Sequence, residues 1–212
     1  FNRALIESGA TLNIGGDSAH GTFAALSLVN QGVVNFNNPS GSLTLDGTLS
    51  GSGLFNKAGA AITVLSATDR AYYLGSLSGG SLVVACAPLG SFVNDAELQA
   101  NGTAEIVFTK PISGSGSMTF SGFQHTAMFG ESTYTGRNSI RFGTVTVNQP
   151  MALGDYNAAT TLISGGELYG GLFLSNNITW LQPVTIQAKS IVTAAAALPC
   201  LGNKGGSNTV AG

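Results

Sequence analysis

Two stretches of this chain resemble one another, and this internal repetition constrains the fold more than any local pattern does. Residues 51–67 read GSGLFNKAGAAITVLSA, and residues 114–130 read GSGSMTFSGFQHTAMFG. In each copy Gly-Ser-Gly precedes a short apolar segment, a second glycine and another short apolar or aromatic segment. We therefore expect one structural unit to be used more than once, as in a solenoid of stacked turns.

Short alternating segments predict the secondary structure. Each places two apolar residues around one polar residue, a pattern typical of strands of three to five residues. We expect the apolar pair to line a narrow core and the central residue to face solvent. The segments are Leu43-Thr44-Leu45, Ile62-Thr63-Val64, Met118-Thr119-Phe120, Ile140-Arg141-Phe142, Val145-Thr146-Val147 and Val184-Thr185-Ile186.

Three features favour a parallel β-helix over a sandwich or a barrel. The turns are rich in Gly and Asn, yet no Asn-Gly pair joins two well-formed alternating strands as in a hairpin; Asn101-Gly102 comes nearest. The pattern recurs about every 20 residues, within the range of solenoid units. Only 8% of the residues are charged, against about 25% in an ordinary soluble domain. We predict an all-β chain, a β-helix of roughly ten rungs that spans 1–212 as a single segment.

Composition also excludes several functions. The net charge is −2 and the eight Lys and Arg residues are scattered, so binding to nucleic acid or anionic lipid has little support. The longest apolar run, residues 191–198, is far shorter than a membrane-spanning helix. Because the chain starts at Phe1 and stops at Gly212 within an apparent repeat, we expect a piece or a protomer of a larger assembly.

A known family resembles residues 114–147. There Gly-Ser-Gly is followed by two strands, by Ser132-Thr133-Tyr134-Thr135-Gly136, by a strand and by Gly143-Thr144-Val145. This order is similar to the passenger-associated repeat of bacterial autotransporters, and residues 41–65 look like the first half of such a unit. The first copy departs from the pattern at Thr68-Asp69-Arg70, where Tyr-Thr-Gly would stand. The resemblance implies a right-handed parallel β-helix that is exported and displayed outside a bacterial cell.

The acidic residues are candidate catalytic groups, because polysaccharide-degrading enzymes need carboxylates that converge on a groove. Asp46 and Asp69 are 23 residues apart and could stack on adjacent rungs, whereas Asp95, Glu97 and Glu105 could share a loop region. We expect all of them to be solvated surface groups.

The histidines and the glycine motifs give no firmer signal. His20 and His125 lack a partner at metal-ligand spacing, and the adjacent residues of Asp17-Ser18-Ala19-His20 do not suit a hydrolytic triad. Gly51-Ser52-Gly53 and Gly114-Ser115-Gly116 precede no Lys-Ser/Thr and are interpreted as turns, not phosphate loops. We predict no catalytic, metal-binding or cofactor-binding residues.

The aromatic residues are candidates for a sugar-binding surface, and the two cysteines are candidates for a disulfide. Tyr72-Tyr73, Phe129 and Trp180 are expected to fill the core, with a sugar-stacking platform as the alternative. Cys86 and Cys200 should lie five or six rungs apart, on the order of 25 Å, too far for a disulfide.

The predicted function is a non-enzymatic structural or adhesive segment of an extracellular bacterial surface protein. Its partners would be other copies or segments of the same protein at exposed end rungs, or a host surface or glycan. Two alternatives remain: a protomer of an extracellular fibre that stacks end to end, and a polysaccharide-degrading β-helical enzyme or phage tail protein.

Overall fold

Short parallel strands stacked one above another make up the whole of the described structure. It is a computed structural model, and it describes residues 3–16, 27–66, 71–165, 170–188 and 200–211. The described residues contain no helix, and therefore none that could cross a membrane. The strands are β1 (Ala4–Ile6), β2 (Thr11–Ile14), β3 (Ser27–Asn30), β4 (Val33–Phe36), β5 (Ser42–Leu45), β6 (Thr48–Ser50), β7 (Leu54–Lys57), β8 (Ile62–Leu65), β9 (Tyr73–Leu77), β10 (Ser81–Val84), β11 (Phe92–Asn94), β12 (Glu97–Ala100), β13 (Ile106–Phe108), β14 (Ile112–Ser113), β15 (Ser117–Phe120), β16 (His125–Met128), β17 (Asn138–Ile140), β18 (Thr144–Val147), β19 (Thr161–Gly165), β20 (Gly171–Leu174), β21 (Thr179–Trp180), β22 (Val184–Ala188), β23 (Leu201–Asn203) and β24 (Thr209–Val210).

These strands form five sheets, and every pairing joins a strand to its counterpart one turn away in parallel. Sheet A is β1-β3-β6, sheet B is β2-β4-β7-β9-β11-β14, sheet C is β5-β8-β10-β12-β15-β17-β19-β22, sheet D is β13-β16-β18-β20-β23, and sheet E is β21-β24. Parallel pairing without helical crossovers is what a chain coiling the same way at each lap produces.

The result is a parallel β-solenoid of about eight turns, which confirms the predicted all-β fold class. About eight turns is roughly consistent with the predicted ten rungs, and the number is lower because the later turns are longer. Asp95 and the hydrogen-bonded Ser115 are 20 residues apart, whereas Ile178 and its partner Asn208 are 30 residues apart.

The core is a set of columns that run along the solenoid axis. One column takes one inward side chain from each strand of sheet C from β5 to β19, and its members are all less than 4% exposed. Such stacking removes apolar surface from water turn by turn, at roughly 1.5–3 kcal/mol for each large side chain. The column consists of Leu45, Leu65, Val84, Ala100, Phe120, Ile140 and Ile163.

The alternating segments predict the strands better than they predict which side faces inward. Leu43 and Leu45 point inward around exposed Thr44, and Val145 and Val147 are fully buried, as expected. The prediction for Ile62-Thr63-Val64 is wrong, because Ile62 is 44% exposed while Thr63 is buried. The pairing register between β5 and β8 explains why Thr63, and not Ile62, faces the core.

Since Leu43 pairs with Thr63 and Leu45 with Leu65, the inward phase of β8 is set by Leu65. The strand interpretation of Ile140-Arg141-Phe142 also needs correction: β17 ends at Ile140, and Phe142 packs instead on Phe123, with the ring centroids 5.4 Å apart.

The two Gly-Ser-Gly copies form the same corner in different places. In the turn below each copy lies a fully buried asparagine, Asn30 or Asn94. Each asparagine caps its own corner and donates its side-chain amide to the backbone carbonyl that follows Gly-Ser-Gly, at 3.0 Å. The first copy leads into sheet B and the second into sheet C, so the unit recurs at a different face of the solenoid.

The Tyr-Thr-Gly segment is also structural. Tyr134 is fully buried, and its hydroxyl donates to the equally buried Asn138 at 2.6 Å. The Asn138 amide in turn donates to the Leu153 carbonyl at 2.8 Å. Burial raises the pKa of Tyr134 well above its ordinary value, so this residue acts as a neutral bridge between successive turns.

The corner geometry makes the second glycine of each Gly-Ser-Gly irreplaceable. A Cβ built on Gly116 would lie 2.5 Å from the Ala96 backbone nitrogen and 2.6 Å from Asn94 Oδ1. We therefore expect Gly116→Ala to lower the free energy of unfolding by about 2 kcal/mol or more, measured by urea denaturation.

The matched control is Gly16→Ala, since a Cβ at that exposed position meets nothing within 4 Å. It should change the stability by less than about 0.5 kcal/mol. Equal effects of the two substitutions would contradict the proposed corner.

Candidate functional site

A row of polar side chains crosses the outer face of sheet D, one from each of several turns. His125 lies in the middle: its Nδ1 is 2.7 Å from Glu105 Oε1, and its Nε2 is 2.7 Å from Thr146 Oγ1. Lys204 Nζ approaches the same ring nitrogen at 3.3 Å and Thr146 Oγ1 at 3.5 Å. Parallel register brings these residues together, because β16 pairs with β18 and β18 with β20, which pairs with β23.

One arrangement of protons satisfies the whole row. The carboxylate of Glu105 accepts from His125 Nδ1–H, which leaves Nε2 as an acceptor. The Thr146 hydroxyl donates to Nε2 and accepts from the Lys204 ammonium. The row thus runs from an acid at one end to a cation at the other, through the His125 ring.

A pocket lies beside the cationic end of this row. We call it the Lys204 pocket; it is lined by Thr144, Thr146, Phe173, Asn203 and Lys204. Its walls come from β18, β20 and β23, three consecutive strands of sheet D, and from the residue after β23. It combines one cation, two hydroxyls, one amide and one aromatic ring, a mixture suited to binding a polar organic ligand.

A second shallow groove follows the outer face of sheet C. It is lined by Ser117, Thr119, Arg137, Ser139, Arg141 and Leu162. Both arginines are exposed, while Thr119 donates to Glu97 Oε1 at 3.1 Å on the strand below. The groove has two cations near one carboxylate and no aromatic wall.

The structure does not bring Asp95, Glu97 and Glu105 together in one loop region. Asp95 lies between sheets B and C and accepts from the Ser115 backbone amide at 2.8 Å. Glu97 opens β12 on the face of sheet C, and Glu105 precedes β13 and pairs with His125. The solenoid separates them because each sits at a different point of one lap.

The Asp46 carboxylate accepts a hydrogen bond from the Ser66 hydroxyl, one turn above. It contacts none of Asp95, Glu97 and Glu105. In the chain, Asp46 follows β5 and Glu105 follows β12, both strands of sheet C. These two strands are three pairings apart along the solenoid axis. Asp69, His20 and the segment Asp17-Ser18-Ala19-His20 lie outside the described residues. Where the structure describes the chain, no three His, Cys, Asp or Glu side chains are grouped so that they could hold a metal ion.

The interpretation of His125 as an isolated histidine is wrong. Its partners Glu105 and Thr146 are 20 and 21 residues away. Those separations are one turn of the solenoid, so a search for polar residues at the repeat period would have found these two contacts of His125.

The same search finds an asparagine ladder on sheet B. Asn35 donates to Asn13 at 2.8 Å, Asn56 donates to Asn35 at 3.0 Å, and Ser76 donates to Asn56. Such a stack of amides ties four successive turns together at the surface.

Aromatic residues divide between core and surface. Tyr72 and Trp180 are fully buried, which confirms that they fill the core and removes them from any sugar-stacking platform. Tyr72 lies edge-on to Phe55, which stacks on Phe36. Tyr73 and Phe129 are each 37% exposed but belong to different parts of the solenoid.

Cys86 and Cys200 are not joined by a disulfide, as predicted. Cys86 follows β10 and Cys200 precedes β23, which comes after β22 in the chain. Five pairings of sheet C separate β10 from β22. At about 4.8 Å for each pairing, these strands lie roughly 24 Å apart along the axis.

A buried lysine was not predicted. Lys57 pairs in register with Phe36 and Leu77, and its side chain is fully buried among inward-facing residues. Its ammonium donates to the backbone carbonyls of Gly59 and, at 3.1 Å, of Gly79 in the next turn. Desolvation lowers the pKa of Lys57 from 10.5 to about 8.

This shift predicts a pH dependence of stability. Above about pH 8 the folded protein releases the Lys57 proton, while the unfolded chain keeps it until about pH 10.5. Because the unfolded state then binds more protons, the free energy of unfolding should rise with pH between 8 and 10, on the order of 2 kcal/mol. Urea denaturation at half-unit pH steps measures it.

Lys57→Met should remove this rise, because methionine carries no proton to release. Lys110→Met, at an exposed position, controls for the loss of one lysine. Parallel pH curves for the wild type and Lys57→Met would contradict the buried ammonium.

Comparisons with known proteins return nothing: no protein-family model, curated protein or solved structure matches the chain. The fold and the side-chain geometry are therefore the basis for any functional assignment.

Proposed function

We propose that this chain is a non-enzymatic structural and adhesive segment of an extracellular bacterial surface protein. The observation that carries the proposal is the uninterrupted parallel stack, in which sheet C alone runs through eight strands. Each turn is hydrogen-bonded to the turns above and below it, so the segment acts as a stiff spacer whose length grows with the number of turns.

The surface suits such a role. With 8% charged residues, the exterior relies on hydroxyl and amide side chains, as in the asparagine ladder of sheet B. These groups satisfy one another between turns and hold the surface rigid without ion pairs, which salt would screen.

The resemblance to autotransporter passenger repeats supports placement outside a bacterial cell. The residues that carry it have structural work in this chain: Tyr134 bridges turns through Asn138, and Gly143 adopts a φ of 68° that favours glycine. A motif whose residues build corners fits a scaffold rather than a reaction centre.

Carboxylate placement disfavours the alternative of a polysaccharide-degrading enzyme. That chemistry needs two carboxylates at one groove. Among the described acids, Asp46 binds Ser66, Asp95 binds Ser115, Glu97 binds Thr119 and Glu105 binds His125, each at a separate position.

End-to-end stacking into a fibre is a second candidate. Within the described residues, β1 and β2 at one end and β22, β23 and β24 at the other have a strand partner on one side only. Such edges pair with other chains unless they are covered. Sedimentation velocity over a range of concentrations distinguishes a fibre protomer from a monomer.

Surface labelling tests the main proposal. Antibodies raised against the purified segment should label intact, unpermeabilised cells of the bacterium that encodes it, and external protease should abolish the signal. A cytoplasmic enzyme serves as the control for cell integrity. Labelling that appears only after lysis would refute the extracellular assignment.

A further inference from the structure

We propose that the Lys204 pocket binds a sugar residue that carries a carboxylate, that is, a uronic acid in an acidic glycan. This inference deepens the adhesive part of the proposed function and rests on it for the display of this face outside the cell. Three features of the pocket support this assignment: an uncompensated cation, an aromatic wall and a rigid loop.

The Lys204 ammonium is the uncompensated cation of the pocket. Lys204 Nζ contacts His125 Nε2 and Thr146 Oγ1, neither of which is a carboxylate. Glu105 is already bound to the opposite ring nitrogen at 2.7 Å. No carboxylate in the described part of the chain pairs with Lys204. The ammonium is thus free to form a charge-assisted hydrogen bond with a ligand carboxylate.

Phe173 supplies the apolar wall. It faces outward from β20, with Thr146 beside it on one strand and Gly202 on the other. Because glycine has no side chain, position 202 does not cover the ring, and Phe173 is partly exposed. The face of an aromatic ring attracts the partly positive C–H groups of a sugar, whereas a small inorganic anion gains nothing from it.

The backbone that presents the cation is held in place before any ligand binds. Lys204 N donates to the Leu174 carbonyl at 2.8 Å. Asn203 Oδ1 accepts from the Gly205 amide at 2.9 Å and from Asn208 Nδ2 at 2.7 Å. A loop ordered in advance reduces the conformational entropy lost on binding.

The size of the pocket also favours a sugar over a lone anion. It extends over β18, β20 and β23, two strand spacings of about 4.8 Å. Thr144 and Thr146 lie on β18 and Asn203 on β23, and the Lys204 ammonium reaches from beyond β23 to Thr146 Oγ1 at 3.5 Å. A single ring can therefore contact the Thr144 hydroxyl and the cation together. The groove on sheet C lacks an aromatic wall and is the weaker candidate.

Titrations followed by NMR test the proposal directly. The probes are a galacturonic acid tetrasaccharide, the same tetrasaccharide as its neutral methyl ester, and inorganic phosphate. We expect the acidic tetrasaccharide to bind and to shift amide resonances of residues 144–146, 171–174 and 201–204. Methyl esterification should weaken binding at least about tenfold, because it removes the charge that Lys204 recognises.

Variants locate the binding. Lys204→Gln should weaken binding of the acidic tetrasaccharide about tenfold, and Phe173→Leu should weaken it severalfold while keeping an apolar residue in β20. Arg141→Gln, in the sheet C groove, is the matched control and should change the affinity less than twofold. Circular dichroism and thermal unfolding establish that each variant is folded; Lys204→Gln alters an exposed side chain and carries the test if Phe173→Leu does not fold.

Three results would overturn the proposal: no resonance shifts at about 10 mM tetrasaccharide, equal affinity for the methyl ester, or unchanged affinity in Lys204→Gln. Phosphate binding equal to that of the tetrasaccharide would reduce the pocket to a simple anion site and also contradict it. Failure of binding with positive surface labelling leaves the proposed function standing, whereas binding without surface labelling refutes the display of the segment but not the pocket.

Discussion

Every part of this structure depends on the hydrogen-bonded register between successive turns. A strand of three or four residues is too short to be stable alone, and here it persists because the strands above and below it satisfy its backbone groups. The same register decides which side chains meet. It stacks Leu45 on Leu65 inside the solenoid and brings His125 between Glu105 and Thr146 outside it.

Register also explains how a chain so poor in charges remains specific. Each corner needs a particular backbone path, and buried amides such as Asn30 and Asn94 define it by bonding both to their own turn and to the next. A slip by one residue would move every inward apolar side chain to the surface. Lys57 links turns in another way: its buried ammonium donates hydrogen bonds to backbone carbonyls of two turns.

The sequence predicted the fold well and the details of side-chain placement less well. Repeats, short alternation and sparse charge were enough for a parallel β-helix, because each of these features reflects stacking of similar turns. They did not determine which residues of a strand face the core. In ITVL, residues 62–65, either alternate pair could face inward, and only pairing with β5 buries Thr63 and exposes Ile62. Local motifs also say nothing of position around the lap, so the two Gly-Ser-Gly corners open onto different sheets.

The polar row could have been predicted only by using the period. Glu105 and His125 are far apart in sequence by the standards of metal or catalytic motifs, yet they are neighbours in a solenoid with turns of that length. Lys204 lies 79 residues from His125, with longer turns between them. No fixed period predicts that contact, so the Lys204 pocket required the structure.

Distances between spin labels on sheet C test the central claim most directly. Thr44 and Thr185 occupy the same register row, seven pairings apart, and both are exposed. With Cys86 and Cys200 replaced by serine, pulsed electron paramagnetic resonance on labels at these positions should give about 34 Å between backbones, and labels at Thr44 and Ser139, five pairings apart, about 24 Å. Distances that fail to grow in proportion to the number of turns would contradict the continuous solenoid.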